Sequence, residues 1–456
     1  MAAALAAVAA RFCHSDLLWI EEAYGIAAAA EVLRGQNLYR DIWFDKPPLY
    51  AWFYALCDAS GGQALRVLGA VWVLLCGWAS WYLARSWWGV REALLASAFT
   101  LIFLTFWIPS AVIAIAPDLL MFVPHAFAVG LAVRGHSTAA GLMSGAAQLC
   151  NSKGMFVIAA VLLWAPSRLR AIAGCAAVQG IALIALPARE YWQQVWAWGF
   201  LYSSATFVEN VWLEGIRRTA GWAWFHSAAV IGAVVCLWRD RDRRLLIWVA
   251  LACAGVAAGG RFFPRYYFLL LPAIAVAGAR GALLLPVRTR ILVLGLMLIP
   301  VVRFGPRYVT IAMHGSAGWA DAAMMEDSRQ VSQRLPSACS LLVWGYRPDI
   351  YVFSGCTAGT PFLDSQPLTG VIADRHLTDS TVTYPELARA NRLALKQTRP
   401  EFIADGLGVA NPSLAISAYS DLREWLEAYE IVGRTQLSII YRLRSAPDRL
   451  PLRQER

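Results

Sequence analysis

The sequence has little charge and almost no lysine. Asp, Glu, Lys and Arg make up only 15% of its 456 residues, whereas hydrophobic residues make up 59%. A soluble domain carries about a quarter charged residues, so this composition excludes an ordinary soluble protein and indicates a membrane protein with several spans. The three lysines are Lys46, Lys153 and Lys396. Each lysine that falls among other charged groups is therefore a candidate site residue.

Other absences exclude whole classes of site. The nine cysteines form no C-x-x-C pair, so a metal–thiolate site is not expected. The sequence contains neither a P-loop nor a Rossmann glycine fingerprint, which argues against a nucleotide-binding site. The net charge of +10 comes from the first 304 residues, because residues 305–456 carry 16 basic and 16 acidic side chains. This distribution is typical of arginines that anchor membrane loops, not of a nucleic-acid-binding protein.

Long stretches without charge predict membrane-spanning helices, about 10–12 in all. A more polar segment at 17–34, which Gly35 ends, predicts an amphipathic helix that lies in the membrane interface. Residues 1–13 predict the end of a first helix. The uncharged stretches are 67–84, 93–117, 119–133, 139–150, 154–167, 171–188, 219–238, 245–260, 266–279, 281–287 and 291–302.

Arginines mark every second short loop between these stretches. Arginine-rich loops lie on the cytoplasmic side, so the alternation predicts which loops face outward. The cytoplasmic set holds Arg85, Arg91, Arg134, Arg168, Arg170, Arg239, Arg241, Arg243, Arg244, Arg288 and Arg290. The opposite side collects Glu21, Glu22, Asp45, Lys46, Asp118, Lys153, Arg261 and Arg265. This sorting predicts a polar site at the outer membrane face.

The stretch 16–50 is the most informative part of this outer set. Pro47 and Pro48 restrict the backbone directly after Lys46. This stretch combines a carboxylate cluster, a short helix and a rigid corner with an acid and a base. Such a combination predicts a reaction site in an outer loop, 13–62. A solvated loop between two spans is the alternative. The carboxylates are Asp16, Glu21, Glu22, Glu31, Asp41 and Asp45.

Other outer residues have both a functional and a structural interpretation. Asp118 follows Pro117 within a long apolar run, where an ionisable group is costly, and this favours a function. Lys153 begins a stretch without charge and is either an anchor or a ligand. The segment 261–272, RFFPRYYFLLLP, offers arginines that pair with phosphate bidentately, or else an aromatic belt with ordinary anchors.

After residue 304 the uncharged stretches end, and residues 305–456 predict a small α/β domain on the outer side. A helix is expected at 319–336. Cys339 and Cys356 are able to form a disulfide if this domain is outside the cytoplasm. The predicted strands are 340–345, 350–355, 401–406 and 435–443.

The motif EEAY…A…LRGQNLYRD…FDKPPLY at 21–50 resembles the first extracytoplasmic loop of GT-C glycosyltransferases that use lipid-linked sugars, the family 39-like enzymes. Protein mannosyltransferases and the aminoarabinose transferases of lipid A are members. APD at 116–118, SKG at 152–154, RFFPRYYFLLLP and VWGYRPDIYVFSG at 343–355 are also similar, so the resemblance covers nearly the whole chain. It implies an all-α polytopic membrane domain of GT-C type, 1–304, with a C-terminal extracytoplasmic α/β domain.

The resemblance also implies catalytic roles. Glu21 stands where the family usually has an aspartate that acts as catalytic base or orients the acceptor, and Glu22 occupies the following glutamate. Because Glu21 is one methylene longer than that aspartate, the choice between the two glutamates stays open. Asp118 matches the second site aspartate. Asp45 matches an acidic residue that can bind a metal ion.

For the donor, the resemblance implies a lipid-phosphate site around Lys46. Arg265 stands where relatives often have histidine, which leaves its phosphate contact open. The donor-binding residues by this reasoning are Lys46, Lys153, Arg261, Arg265 and Tyr266. A sugar already linked to polyprenyl phosphate needs no nucleotide motif, only a carboxylate for the acceptor hydroxyl and cations for the departing phosphate.

We therefore expect a membrane glycosyltransferase that moves a sugar from a polyprenyl-phosphate donor to a glycan, lipid or protein acceptor. Its partners are membrane lipids and these substrates, without nucleic acid, and its location is a bacterial-type plasma membrane with the site facing outward. A divalent metal ion at Asp45 is the one cofactor that the resemblance raises. A transporter or flippase of polyprenyl-linked sugars and an inactive glycan-binding scaffold are the alternatives.

Overall fold

The computed structural model describes residues 1–205, 209–316, 319–374 and 376–444. Its first part is helical. A π-helical turn, Trp192–Ala197, precedes the helix Trp198–Ser204, and a 3-10 turn, Pro264–Phe268, precedes the helix Leu271–Leu284. The helices are α1 (Ala2–Phe12), α2 (Ile20–Leu33), α3 (Pro48–Leu56), α4 (Gly62–Trp87), α5 (Val90–Phe103), α6 (Pro109–Val112), α7 (Pro117–Val133), α8 (Ser137–Cys150), α9 (Gly154–Trp164), α10 (Arg168–Ala185), α11 (Ala188–Tyr191), α12 (Trp198–Ser204), α13 (Val211–Phe225), α14 (Ser227–Asp240), α15 (Arg243–Ala257), α16 (Leu271–Leu284), α17 (Val287–Gly295) and α18 (Leu298–His314).

Two of the described helices, α4 and α10, are long and apolar enough to cross a membrane. The pair α13 and α14, bent by 98° at its break, makes a third if both form one span. The shorter apolar helices are α1, α7, α9 and α16. The helices do not match the uncharged stretches one to one. The stretch 93–117 is divided, because Pro109 begins a separate helix, α6, within it. The stretches 266–279 and 281–287 are joined, because both contribute residues to α16. The count of 10–12 spans stays a prediction.

Small residues bring neighbouring helices into backbone contact. A Cβ added to Gly281 on α16 would overlap the backbone of Gly232 on α14, and one added to Gly141 on α8 would overlap Ala171 on α10. Between helices in a membrane, such close approach supplies the van der Waals contact that the hydrophobic effect cannot. These crossings therefore hold the helical part together.

The helix α2 is buried over most of its length, which corrects the amphipathic interface helix that the sequence predicted. Four of its alanines (Ala23, Ala27, Ala28 and Ala29), Tyr24 and Ile26 are buried together with Glu22 and Glu31. Gly25 allows α3 to approach, because a Cβ there would lie 2.7 Å from the rings of Tyr50 and Tyr54. The predicted end is confirmed, since Gly35 has a φ of +93° just after the helix. Both faces of α2 are covered because it lies between the helical part and the C-terminal domain.

The C-terminal domain is built on a five-stranded sheet with the order β2-β1-β3-β5-β4. Strand β1 pairs in parallel with β2 and β3, and β5 is antiparallel to both β3 and β4. The helix α18 runs across residue 304, where the sequence placed the start of this domain. The elements are α19 (Ala320–Gln333), β1 (Ser340–Trp344), α20 (Asp349–Ser354), β2 (Thr357–Ala358), α21 (Gln366–Thr369), α22 (Pro385–Leu395), β3 (Phe402–Asp405), α23 (Arg423–Leu426), β4 (Tyr429–Arg434) and β5 (Ile439–Leu443).

The strands predicted at 340–345 and 401–406 are confirmed, and the one at 435–443 forms over its second half as β5. The strand predicted at 350–355 is wrong, because this segment forms α20. Pro348 and Asp349 start that helix, and Gly355 ends it with a φ of +70°. Cys339 and Cys356 form a disulfide at the edge of the sheet.

Candidate active site

One cavity of about 340 Å³ lies between the helical part and the C-terminal domain. Its walls come from the first loop, the start of α7, the turn between α8 and α9, the helix α12, the segment between α15 and α16, and the C-terminal domain. The cavity gathers nearly every site residue that the sequence predicted: Glu21, Asp45, Lys46, Asp118, Lys153, Arg261, Arg265 and Tyr266.

Glu21 faces the cavity from the first turn of α2. Its Oε1 lies 2.6 Å from Nη2 of Arg265, and each side chain keeps 25% of its surface exposed. The first turn of a helix favours a carboxylate, because the unpaired N–H groups there carry partial positive charge. Arg265 comes from the 3-10 turn that precedes α16. This ion pair therefore joins two distant parts of the sequence across the cavity.

Glu22 does not line the cavity. Its two carboxylate oxygens accept bonds from Arg66 Nη1 and Nη2 at 2.9 and 2.8 Å, and both side chains are fully buried. Oε1 also accepts a bond from the backbone N–H of Ile115 at 3.1 Å. Neighbouring residues of a helix point about 100° apart, so Glu21 and Glu22 cannot share one face. Of the two, the structure places only Glu21 in the cavity.

Asp45 and Lys46 form the corner that the two prolines restrict. Nζ of Lys46 lies 2.7 Å from Oδ2 of Asp45, and the hydroxyl of Tyr39 donates to the carbonyl of Lys46 at 2.8 Å. A third ionisable group, the buried Asp364 of the C-terminal domain, interacts electrostatically with both of them. Burial, and then the charge of Asp45, raise the pKa of Asp364 to about 7.

Asp118 and Lys153 bring unpaired polar atoms to the cavity. Asp118 follows Pro117 in the first turn of α7, and Lys153 precedes α9. Nζ of Lys153 lies 2.8 Å from the centre of the Tyr266 ring. Within the described residues, neither Oδ1 of Asp118 nor Nζ of Lys153 has a hydrogen-bond partner. Buried polar atoms without partners are rare and costly, so both groups are suited to bind a ligand.

Arg261 is engaged by the protein itself. Its Nη2 donates to the carbonyls of Tyr202 and Ala205 at 2.8 and 2.7 Å. Nε lies 2.9 Å from Oδ2 of Asp374, an ion pair in which Nε makes no hydrogen bond within the described residues. Only 2% of the arginine side chain is exposed. Arg261 therefore adds positive charge to the cavity wall while most of its own contacts are made with the protein.

The C-terminal domain contributes residues that sequence reasoning missed. Tyr346 follows β1, and Gln366, Ala373 and Asp374 come from the segment after β2. Strand β1 lies between two parallel partners, so these loops leave the carboxyl edge of the sheet at its switch point, where ligands commonly bind in α/β domains. Tyr346 falls in the VWGYRPD segment of the resemblance, whereas no local pattern marks Asp374.

The fold is similar to solved membrane enzymes. No protein-family model matches the sequence, and no curated protein sequence matches it either. ArnT from Cupriavidus metallidurans, bound to undecaprenyl phosphate, superposes with a TM-score of 0.59 at 13% identity, over 95% of this chain and 96% of that one. Its apo state gives a TM-score of 0.60 at 14% identity, over 93% of each chain. The chain has a GT-C fold.

A second GT-C protein shares the architecture more distantly. The oligosaccharyltransferase of Archaeoglobus fulgidus, solved in complex with Zn and sulfate, gives a TM-score of 0.50 at 14% identity, over 94% of this chain and 70% of that one. The same organism's AglB, in complex with an inhibitory peptide and a dolichol-phosphate, gives 0.50 at 11% identity, over 98% and 75%.

The metal ion that such a GT-C relative holds does not fit the residues seen here. Asp45, the candidate ligand, is paired with Lys46, whose positive charge opposes a cation. Asp364 is the nearby carboxylate, and burial favours its protonated form. Across the described residues, no three His, Cys, Asp or Glu side chains come together as a ligand set. We therefore derive no step through a metal ion.

Proposed function

We propose that this chain is a membrane glycosyltransferase that moves a sugar from a polyprenyl-phosphate carrier to a hydroxyl acceptor. The observation that carries the proposal is that one cavity brings the carboxylates Glu21 and Asp118 together with the cations Lys46, Lys153 and Arg265. The binding of undecaprenyl phosphate by ArnT and of a dolichol-phosphate by AglB, within the same fold, supports a lipid-phosphate donor.

The cations are suited to the phosphate of the donor. Lys153 carries a buried ammonium without a hydrogen-bond partner among the described residues, and Lys46 keeps 35% of its side chain exposed. A phosphate that leaves with developing negative charge gains most from fixed cations in a poorly hydrated cavity. Arg265 adds a planar fork that matches phosphate oxygens.

The carboxylates are suited to the acceptor. We assign proton acceptance to Glu21, because it is more exposed than Asp118, which is 5% exposed, and an acceptor arrives from outside. When Arg265 turns to the phosphate, Glu21 loses its partner and becomes available. The acceptor oxygen then attacks the anomeric carbon, the bond from that carbon to the phosphate oxygen breaks, and the acceptor proton passes to Glu21. Asp118 holds Lys153 by charge at the floor of the cavity.

We place this reaction on the extracytoplasmic side of a bacterial-type plasma membrane. The alternating arginine loops support this orientation, because they leave all the cavity charges on the opposite side. The disulfide between Cys339 and Cys356 supports it independently, since disulfides persist in oxidising compartments.

The direct test is sugar transfer in proteoliposomes that contain the purified protein and a synthetic undecaprenyl-phosphate hexose or pentose, labelled in the sugar. Total lipid and polysaccharide extracts of a bacterial envelope, and a peptide mixture, serve as acceptors. We expect release of undecaprenyl phosphate together with label in one acceptor fraction. Movement of the intact donor across the bilayer without cleavage would instead identify a transporter.

A further inference from the structure

Three side chains in the cavity wall form a closed cluster that the proposed transfer does not use directly. We call Tyr202, Arg261 and Asp374 the wall triad. Tyr202 lies on α12, Arg261 follows α15, and Asp374 belongs to the C-terminal domain. All three line the cavity. The wall triad therefore joins the two parts of the molecule beside the site where sugar would react.

The three side chains of the wall triad all contact one another. The hydroxyl of Tyr202 lies 3.1 Å from both carboxylate oxygens of Asp374. Nε of Arg261 lies 2.9 Å from Oδ2 of the same carboxylate, and its guanidinium carbon lies 3.6 Å from the centre of the Tyr202 ring. Asp374 is thus the shared partner of the other two.

This arrangement separates Arg261 from the other cations of the cavity. Its Nη2 already donates to two backbone carbonyls, its Nε pairs with a carboxylate, and its guanidinium lies over a ring, so most of its contacts are made within the protein. Removing a charged pair from water is costly, and its clearest benefit is a defined geometry. The geometry defined here is the position of segment 364–374 against α12.

We infer that Asp374 is a positioning residue of the proposed reaction, on which this inference rests. Through Arg261 and Tyr202, it holds the C-terminal domain against α12 so that the cavity excludes water while the sugar reacts. Water and an acceptor hydroxyl break the same bond, between the anomeric carbon and the phosphate oxygen. With water the product is free sugar, and with an acceptor it is a glycoside; the proton passes to Glu21 in both cases. Closure of the wall therefore decides between hydrolysis and transfer.

The test compares donor hydrolysis in Asp374→Asn and in the unaltered protein. Proteoliposomes with labelled undecaprenyl-phosphate hexose or pentose, and no added acceptor, report free sugar. A parallel reaction with the envelope lipid extract reports transfer. We expect the ratio of hydrolysis to transfer to rise roughly tenfold or more in Asp374→Asn, because the amide removes the negative charge that pairs with the buried Arg261. Adding Asp118→Asn should abolish this hydrolysis, because it occurs in the same site.

The chain offers a matched control in the pair Arg392 and Asp421. Nε of Arg392 lies 2.8 Å from Oδ2 of Asp421, its Nη1 donates to the carbonyl of Leu368 at 2.7 Å, and its guanidinium carbon lies 4.7 Å from the centre of the Tyr419 ring. This cluster has the composition of the wall triad but lies within the C-terminal domain, away from the cavity. Asp421→Asn should therefore leave the ratio unchanged.

The outcomes separate this inference from the proposed function. If the unaltered protein cleaves no donor under any condition, the proposed function fails. If the unaltered protein transfers sugar, but the ratio of hydrolysis to transfer is the same in Asp374→Asn as in the control Asp421→Asn, the wall triad does not exclude water and the inference is wrong. Should Asp374→Asn fail to fold, Tyr202→Phe removes one hydroxyl and makes the same comparison. Asp374→Glu keeps the charge, so its ratio of hydrolysis to transfer should lie between that of Asp374→Asn and that of the unaltered protein.

Discussion

Single residues in the cavity differ chiefly in whether their charge is already paired. Glu21 and Lys46 have ionic partners at 2.6 and 2.7 Å, whereas Lys153 and Asp118 have buried atoms without hydrogen-bond partners in the described chain. An unsatisfied buried polar atom costs about 1–3 kcal/mol. Two such atoms in one cavity indicate that a ligand completes their contacts.

Lys46→Ala should weaken both donor binding and turnover, because the prolines hold its ammonium where the phosphate departs. We expect kcat to fall roughly 10²- to 10³-fold, as for loss of one preorganised charge. Lys46→Arg should keep only part of the unaltered kcat, since a planar guanidinium demands a different geometry from an ammonium. Steady-state kinetics with undecaprenyl-phosphate hexose measure this. Lys396→Ala, away from the cavity, is the control, and an unchanged kcat and KM in Lys46→Ala would reject the assignment.

Glu21→Gln should lower transfer by roughly 10²- to 10⁴-fold, the contribution of a positioned base. Asp118→Asn should lower it by a similar factor, because Lys153 loses the charge that holds it. Both amides keep the size of the side chain, so expression and melting temperature should change little. Asp58→Asn, an exposed change in the same first loop, should retain full activity. Full activity in both cavity variants would place the chemistry elsewhere.

Asp364 should make stability depend on pH. Its pKa rises from 3.8 to about 7 on folding, so between these values the folded protein holds a proton that the unfolded chain has lost. The free energy of unfolding therefore falls as pH rises through this window, by up to roughly 1.4 kcal/mol per pH unit. Thermal melts of Asp364→Asn between pH 4 and about 7 should show a shallower slope than the unaltered protein. An identical slope in both proteins would contradict this.

At the scale of elements, α2 carries Glu21 and is held at both ends. Glu22 ties its first turn to Arg66 on α4 and to Ile115 before α7. At its other end, Glu31 accepts a bond from the N–H of Ala358 at 3.0 Å, and Arg34 donates to the carbonyl of Gly355 at 2.9 Å. These contacts fix Glu21 relative to both walls of the cavity.

Glu22→Gln should therefore destabilise the protein, because it leaves the buried guanidinium of Arg66 without its counter-charge. We expect a loss of roughly 3–5 kcal/mol, seen as a lower unfolding midpoint in detergent. Replacing both partners with apolar residues, Glu22→Leu with Arg66→Met, should recover part of this loss. Glu326→Gln, which opens an exposed pair with Arg329, should leave the midpoint unchanged. If Glu22→Gln matched that control, the buried pair would not be what fixes α2.

At the scale of the whole molecule, the C-terminal domain forms one wall of the cavity. The disulfide edge of its sheet contacts α2, and its segment 364–374 contacts α12. A domain that lies on the site in this way must share its side of the membrane with the first loop, 13–62.

This shared side is directly testable. In a background without the free cysteines, single cysteines at Ala59 and at Leu393 should both react with a membrane-impermeant maleimide in intact cells. A cysteine at Arg241, in an arginine-rich loop, should react only after the cells are opened. Protection of either of the first two positions in intact cells would reverse the proposed topology.

The sequence by itself determined the class of protein and most of the site. Low charge and long uncharged stretches indicate helices in a membrane, and the sorting of charges to one side anticipates the cavity that gathers Glu21, Asp45, Lys46, Asp118 and Lys153. The strands β1 and β3 are also clear from their apolar runs. These features are readable because hydrophobic pattern and loop charge act locally along the chain.

Only the tertiary structure decided how those charges are used. Glu21 and Glu22 are adjacent in sequence, yet α2 turns one into the cavity and buries the other against Arg66. No local sequence pattern marks Asp374, because its role depends on contacts with Arg261 and Tyr202, which are 113 and 172 residues away along the chain. The segment 350–355 has the composition of a strand but becomes α20, since Pro348 and Gly355 set its ends. Pairing across a fold depends on distance in space, and a single sequence records only distance along the chain.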